Sequence, residues 1–319
     1  MTNVTVAHVE RVLTDAESLS ATSALAASWR RSLMKHRLDP ALRRRRARID
    51  HARLNQRLQG SEMLLRAAIK RLDGLYGMVA ASGCGVFLTD AEGVILETRC
   101  TGADADLFEK CDLWRGADWS EAVEGTNGIG TCLAEQRPVV IHRDEHFFAC
   151  HISMSCIDAP IFYPNGQLAG ALDVSTARLD HDPRFNDLIG ASVLQAARQI
   201  ETEMFRTSFS RDRILMADTS GNDVSALYAV DDDDLVVGAT RAARRLSSLP
   251  ASGPFDAIPY ADLENGQGDK GGPRGFDRGE RAAIMRALSR SKGNVSAAAK
   301  QLGVGRATLY RRMRRLEVS

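Results

Sequence analysis

The sequence contains no long hydrophobic run, and this absence bears on where the protein works. No apolar stretch in its 319 residues approaches the roughly 20 residues that a membrane span needs. The amino terminus also lacks the basic segment followed by an apolar segment that marks a secretory signal. We therefore expect a cytoplasmic protein with no membrane partner.

Two chemical motifs are missing as well. No stretch reads G-x-x-x-x-G-K-[ST], the pattern that holds nucleotide phosphates, so we expect no ATP hydrolysis. None of the six cysteines forms a CxxC pair, which argues against a zinc knuckle or a thioredoxin-type redox site. In a reducing compartment these cysteines should remain thiols.

Charge is distributed unevenly along the chain. Residues 273–319 contain twelve Lys or Arg and three Asp or Glu, a net charge of +9, which leaves −8 for the remainder of a chain whose total is +1. A basic terminal block on an otherwise acidic protein indicates a polyanionic partner, and we expect double-stranded DNA.

The spacing of apolar residues predicts an α+β fold class. Helical spacing dominates residues 20–81, strand–turn–strand patterns occupy residues 84–98 and 153–175, and a helix is predicted over residues 182–207. This order of elements predicts an antiparallel sheet with flanking helices. A small all-α domain is predicted after it, at the basic end.

The patterns divide the chain into five predicted segments. In order, these are a helical region at 1–71, a sensor-like domain at 72–208, a short remnant at 209–249, a flexible linker rich in Gly, Pro and Asp at 250–275, and a DNA-binding domain at 276–319.

The basic end is predicted to form a helix-turn-helix. Helices are expected over residues 281–289, 295–302 and 306–316, with glycines at 303 and 305 in the turn before the last one. Base edges are read near the start of such a recognition helix, whereas outward arginines farther along contact phosphates. The predicted base contacts are Arg306, Ala307, Thr308 and Tyr310, and the predicted phosphate contacts are Arg311, Arg312, Arg314 and Arg315.

Residues 293–316, GNVSAAAKQLGVGRATLYRRMRRL, resemble the Fis-type helix-turn-helix that ends many bacterial enhancer-binding regulators. This resemblance implies a homodimer that binds paired half-sites. Gly305 departs from the Ser or Asn that often caps the recognition helix in that family, but glycine is a tolerated cap.

A second resemblance covers about residues 20–208. Its motifs are WSEAVEGTNGIGT at 119–131, EHF at 145–147 and LDVS at 172–175, with SWRRS at 28–32 and LDP at 38–40 upstream. They resemble the GAF sensor of the acetoin-catabolism regulator family, whose GAF folds bind small molecules between the sheet and its covering loops. The resemblance therefore implies a small organic effector, and the candidate ligand-binding residues are Trp119, Thr126, Asn127, His142, His146, His151, Cys156 and Asp173.

The chain departs from that family between its two recognisable ends. Members usually carry a long ATPase domain there, whereas here residues 209–275 alone separate the two predicted domains. Residues 226–249, predicted as two strands and a helix, resemble a shortened PAS-like segment. We expect a regulator that acts by occupying DNA, with RNA polymerase or a full-length relative as further partners.

The histidines and cysteines of the sensor leave three interpretations open. The set His142, His146, Cys150, His151 and Cys156 has the spacing H-x3-H-x3-C-H-x4-C, which suits a soft divalent metal if helical spacing brings the first two together. The same residues suit an organic-ligand pocket or a purely structural role. Likewise, the arginine run at residues 43–46 suits either a solvated surface or a DNA contact.

Three functions remain open at this point. The first is a transcription regulator controlled by a small molecule at its GAF domain, and the second is a thiol-dependent enzyme of the free methionine sulfoxide reductase type. The third is an adaptor whose sensor responds to a protein partner. The sequence favours the first, because the enzyme has no use for a helix-turn-helix, and so we expect no enzymatic activity.

Overall fold

The computed structural model describes residues 3–19, 22–42, 49–178, 186–217, 226–264, 276–291, 293–316 and 318. The arginine run at 43–46 lies outside these ranges. The chain divides into two compact units, residues 1–229 with 238–255, and residues 230–237 with 256–319. Within the described ranges, no helix is long and apolar enough to cross a membrane.

The first part of the chain is helical, as its periodicity predicts. It forms α1 (Asn3–Ser18), α2 (Ala24–Arg30, extended by a π-helical turn at Arg31–Lys35), α3 (His51–Gly60) and α4 (Glu62–Val79). The predicted domain boundary at residue 72 falls inside α4. Because Leu64, Leu72 and Leu75 on this helix are buried in the same core as the sheet, α4 belongs to the sensor.

The sensor contains the predicted antiparallel sheet. Its strands are β1 (Cys84–Thr89), β2 (Ile95–Arg99), β3 (Val139–His142), β4 (Ser155–Phe162) and β5 (Leu168–Thr176). The strand order is β2-β1-β5-β4-β3 with antiparallel pairing throughout. A tight turn at residues 163–167 joins β4 to β5, and Tyr163 N–H donates to Gln167 O across it.

The alternation of side chains gives the sheet two different faces. One face, which includes Ile157 and Val174, packs against α4 and α8 (Asn186–Ser208) in an apolar core. Three short helices, α5 (Gly102–Lys110), α6 (Glu121–Glu124) and α7 (Gly128–Glu135), occur among the loops of the sensor. The second face, which includes Phe87 and Cys156, packs against Ile129 of α7 and Trp119.

The N-terminal helices pack on those covering loops through a buried polar cluster. Glu121, only 5% exposed, accepts two hydrogen bonds of 2.9 Å from the Arg31 guanidinium. Ser28 lies 2.8 Å from the Thr126 hydroxyl, and the Trp29 indole donates to Glu145 O at 2.9 Å. Residues before the sheet therefore hold the loops that cover its second face.

After the sensor the chain forms β6 (Arg213–Met216), β7 (Leu227–Val230), β8 (Leu235–Ala239), α9 (Arg241–Leu246), β9 (Ile258–Pro259) and α10 (Tyr260–Glu264). The two strands and helix expected over residues 226–249 are present. The linker prediction was wrong for residues 258–264, because β9 pairs antiparallel with β8. Most of the glycines behind that prediction lie at residues 265–275, which are outside the described ranges.

Three helices form the basic end, as predicted: α11 (Phe276–Arg290), α12 (Val295–Gln301) and α13 (Arg306–Arg315). Asn294 caps α12 by accepting a 3.1 Å hydrogen bond from Ala297 N–H. Gly303, in the turn between α12 and α13, has a φ of +65°, which favours glycine. Ile284, Ala298, Leu309 and Met313 are among the buried residues of its core.

Candidate functional site

Two aspartates face each other in the interior of the sensor. Asp158 on β4 lies directly opposite Asp173 on β5, and the side chains are 2% and 0% exposed. The Ser175 hydroxyl lies 3.0 and 2.8 Å from the two carboxylate oxygens of Asp173. Among the described residues, no standard N–H or O–H donor reaches either oxygen of Asp158. Asp158 therefore has only its fellow carboxyl group to bond with.

The aspartate pair retains protons near neutral pH. Burial raises the pKa of Asp173 to about 7, although hydrogen bonds from Ser175 and Asp158 oppose this rise. Burial, followed by the charge of Asp173 and a hydrogen bond to it, raises the pKa of Asp158 well above its usual value. No Lys or Arg within the described ranges offsets the charge of the pair. Asp158 is the protonated partner, with Asp173 as the acceptor for its O–H, and its own acceptor positions have no N–H or O–H donor among the described residues.

His146 and Cys156 form a neutral pair beside the aspartates. Burial, with a smaller contribution from the charge of His151, lowers the pKa of His146 to about 3. His146 Nδ1 lies 2.9 Å from Arg143 O and so carries the proton, which leaves Nε2 to accept from the Cys156 thiol at 3.3 Å. Burial raises the pKa of Cys156 well above its usual value, so the thiol keeps the proton that it donates.

The first residue of α7 closes the space over Asp158. A Cβ atom added to Gly128 would lie 2.1 Å from Asp158 Oδ2 and 2.5 Å from Cys156 Cβ. Asn127 fixes this position, because its Oδ1 accepts from Gly130 N–H at 2.8 Å while its amide group donates to Trp119 O and Gly125 O. The start of α7 therefore lies directly against the pair, and only glycine fits there.

Three of the eight predicted ligand-binding residues lie at the aspartate pair: His146, Cys156 and Asp173. Trp119 and His151 pack in the same interior, with their ring centres 4.9 Å apart and those of His151 and His146 6.2 Å apart. All five residues other than those at the pair also hold the covering loops. Asn127 caps α7, and Thr126 contacts Ser28. His142 Nδ1 lies 2.8 Å from Ser155 Oγ, and His151 Nε2 lies 2.9 Å from Glu124 Oε2. The Trp119 indole donates to Asp112 O at 2.9 Å.

The sequence-based reasoning missed Asp158. It lies in the strand SCIDAPIF, in which every residue is buried. An acidic residue in the middle of such a strand is the signal that was available, because an ionised carboxylate is rarely buried without a partner.

The structure does not assemble the predicted metal-binding set. Within the described ranges, no group of three or more His, Cys, Asp or Glu side chains is placed to hold a metal ion. His142, His146 and His151 each have a different polar neighbour, and Cys150 is exposed. The prediction assumed helical spacing, whereas residues 143–145 and 149–151 form two separate 3₁₀ turns.

The recognition helix α13 has two distinct charged faces. Arg312 Nη1 lies 2.8 Å from Glu280 Oε1, and Arg315 Nη2 lies 3.0 Å from Asp277 Oδ1, so these two arginines pair with α11. Arg311 and Arg314 are exposed on the face opposite the buried Leu309. The remaining predicted contacts, Arg306, Ala307 and Tyr310, are also exposed, and Thr308 is half-buried.

Two protein families match separate parts of the chain, the sensor and the basic end. Residues 63–204 match the GAF domain family, and residues 277–316 match the family described as bacterial regulatory protein, Fis family. The chain combines a GAF domain with a Fis-type helix-turn-helix. Both resemblances inferred from the sequence are confirmed, and the GAF match begins in α4.

Curated relatives of the chain are named as transcription regulators. It is 32% identical over 224 residues to the acetoin catabolism regulatory protein of Cupriavidus necator, covering 68% of this chain and 33% of the relative. It is 29% identical over 178 residues to the acetoin dehydrogenase operon transcriptional activator AcoR of Bacillus subtilis, covering 55% and 29%. The chain thus spans about a third of the length of these relatives.

A solved structure shares the fold. The structure titled as the E. coli DhaR(N)-DhaL complex contains a chain with a TM-score of 0.53 and 16% identity, covering 74% of this chain and 80% of that one. At this identity the likeness supports the fold alone.

Replacing Asp173 with Asn should flatten the pH dependence of folding stability. A carboxyl group that titrates at 3.8 when unfolded and at about 7 when folded binds an extra proton in the folded state between those values. The fold therefore loses stability as the pH rises through this window. Urea denaturation at several pH values should show that decline in the wild type and a smaller one in Asp173→Asn. Glu62→Gln, at a side chain that is 70% exposed, serves as the control, and equal slopes in all three proteins would refute the assignment.

Replacing Arg311 with Ala should weaken binding to duplex DNA of any sequence. Loss of one phosphate contact should lower the slope of log Kd against log salt by roughly one. Arg312→Ala is the matched control, because Arg312 pairs with Glu280 and its loss should cost about 0–1 kcal/mol of stability with less effect on that slope. Anisotropy titrations at several salt concentrations distinguish the two, and equal changes in slope would show that Arg312 also contacts phosphate.

Proposed function

We propose that this chain is a DNA-binding transcription regulator whose GAF domain binds a small molecule at the Asp158–Asp173 pair. The Fis-type domain and the regulators among its relatives support the DNA-binding part. The observation that carries the ligand-binding part is the buried Asp158 carboxyl group, which no N–H or O–H donor of the described residues reaches.

Buried acceptor oxygens that no donor reaches, like those of Asp158, are costly to a fold. Leaving such an acceptor without a hydrogen-bond donor costs about 1–3 kcal/mol. A ligand that donates hydrogen bonds to Asp158 removes this cost. Because the interior is dry, these hydrogen bonds are stronger than the same bonds would be in water. The pair therefore favours small molecules with hydroxyl or amino donors.

Acetoin is the first ligand to test. The names of two relatives connect them with acetoin catabolism and with the acetoin dehydrogenase operon. Acetoin carries one hydroxyl donor, which suits the acceptor oxygens of Asp158 on the second face of the sheet.

The DNA-binding part acts as a homodimer on paired half-sites and works without ATP hydrolysis. Residues 205–276 separate the two family matches, and the sequence has no phosphate-binding loop motif. The protein then regulates by occupying DNA, beside RNA polymerase or a full-length relative.

Two other functions are less well supported. A thiol-dependent enzyme needs a reactive thiolate, yet burial raises the pKa of Cys84 to about 11 and the pKa values of Cys132 and Cys156 well above normal. A protein effector has one observation in its favour, because the E. coli neighbour was solved as a complex with a second protein.

Ligand binding and DNA binding by the full chain test the proposal together. Calorimetry and thermal shift with acetoin and a panel of small hydroxy and amino compounds should identify a ligand that also changes the Kd for DNA. Asp158→Ala should weaken binding of that ligand about tenfold or more, because it removes the carboxyl group that accepts the ligand's hydrogen bond. Without ligand, the Kd of this variant for DNA should stay within about twofold of the wild-type value. That change is smaller than the one expected from the loss of a phosphate contact.

Asp73→Asn, at an aspartate that is 59% exposed on α4, is the control and should bind the ligand as the wild type does. Unchanged ligand affinity in Asp158→Ala would place the ligand elsewhere. A response to no compound in the panel, together with a response to a purified protein, would favour the protein effector.

A further inference from the structure

Residues 239–255, here called the docked segment, contact the sensor through Arg241 and through their backbone. The Arg241 guanidinium lies 4.0 Å from the centre of the Phe162 ring, at the end of β4. Its Nη1 donates to Gly166 O at 3.1 Å, in the turn between β4 and β5. Its Nη2 donates to Gln136 Oε1 at 2.9 Å, immediately after α7. Arg241 therefore contacts both elements that enclose the aspartate pair.

The backbone of the docked segment also meets the sensor closely. Gly253 N–H donates to Asn165 O at 2.9 Å. Gly166 has a φ of +80°, and a Cβ added to it would lie 2.3 Å from Ala251 O. Within the segment, Arg244 donates to the carbonyl oxygens of Ala239, Pro250 and Gly253 at 2.9 Å, which fixes the shape that the segment presents.

The two elements that Arg241 contacts both extend to the aspartate pair. Along β4, Phe162 lies four positions after Asp158, a distance of about 13 Å. Helix α7 begins at Gly128, directly against Asp158, and spans about 12 Å before Gln136. Each element therefore connects the pair at one end with Arg241 at the other.

A ligand that bonds to Asp158 has to displace the start of α7. Gly128 lies too close to Asp158 Oδ2 to leave room even for a methyl group. A short packed helix moves as a unit rather than bending, because close-packed interiors shift between discrete arrangements. Displacement at Gly128 therefore changes the position of Gln136 and its hydrogen bond to Arg241.

We propose that Arg241 is a positioning residue that transmits the state of the aspartate pair to the segment preceding the DNA-binding domain in the sequence. This inference rests on the proposed function. It assigns Arg241 a role that Arg244 does not share, because the hydrogen bonds of Arg244 remain within the docked segment.

Hydrogen–deuterium exchange and DNA binding of the full chain test this inference. In Arg241→Ala, amides of residues 241–255 should exchange about tenfold faster or more, because two hydrogen bonds and a stacking contact are lost. Gly166→Ala should speed exchange of the same amides, because its added Cβ would collide with Ala251 O of the docked segment. Amides of α4 and α8 should exchange as in the wild type, which shows that the sensor stays folded.

The Kd for duplexes selected in vitro with the wild type should change about fivefold or more in both variants, in keeping with typical coupling between sites. Arg245→Ala, on an exposed position of the same helix, should change neither readout. Faster exchange with an unchanged Kd would overturn the inference, and so would unchanged exchange in both variants. A wild-type chain that selects no DNA would refute the proposed function instead, and the inference with it.

Discussion

The pairing of two buried aspartates, Asp158 and Asp173, is the constraint to which the sensor interior conforms. Two carboxylates buried side by side without a cation would cost several kcal/mol each, so the pair keeps a proton near neutral pH. The side chains next to the pair add no further charge. Ser175 donates to the charged member, and His146 and Cys156 stay neutral because a second charge in this dry region would be costly. The oxygens of Asp158 remain acceptors that no N–H or O–H donor of the described residues reaches.

Packing closes this interior tightly at the start of α7. Gly128 at the start of α7 lies against Asp158, and Asn127 fixes that start by capping the helix. The N-terminal helices hold the same loops through the ion pair between Arg31 and Glu121. In the proposed function, a ligand gains bonds to Asp158 only by displacing the protein contacts at the start of α7. That displacement is the proposed route from the site to residues well outside it.

The sequence allowed the scaffold to be predicted but not its interior. Alternating apolar residues were sufficient for the sheet, and glycines, a capping asparagine and clustered arginines were sufficient for the helix-turn-helix. Contacts between residues far apart in the sequence could not be predicted from it. Arg312 pairs with Glu280 from another helix, and Asp158 lies opposite Asp173 only because their strands pair in that register. The proposed metal set failed for a local reason, because two 3₁₀ turns replace the helix that its spacing assumed.

Infrared spectroscopy of the carboxyl groups tests the central claim most directly. A protonated carboxyl group has a carbonyl stretching band separate from the bands of carboxylates, and exposed Asp and Glu are ionised near neutral pH. The difference spectrum between the wild type and Asp158→Asn at neutral pH should show one such band, and the band should shift in deuterated water. Its absence from the wild type at neutral pH would mean that the pair is fully ionised, which would contradict the shared proton and the ligand-binding chemistry built on it.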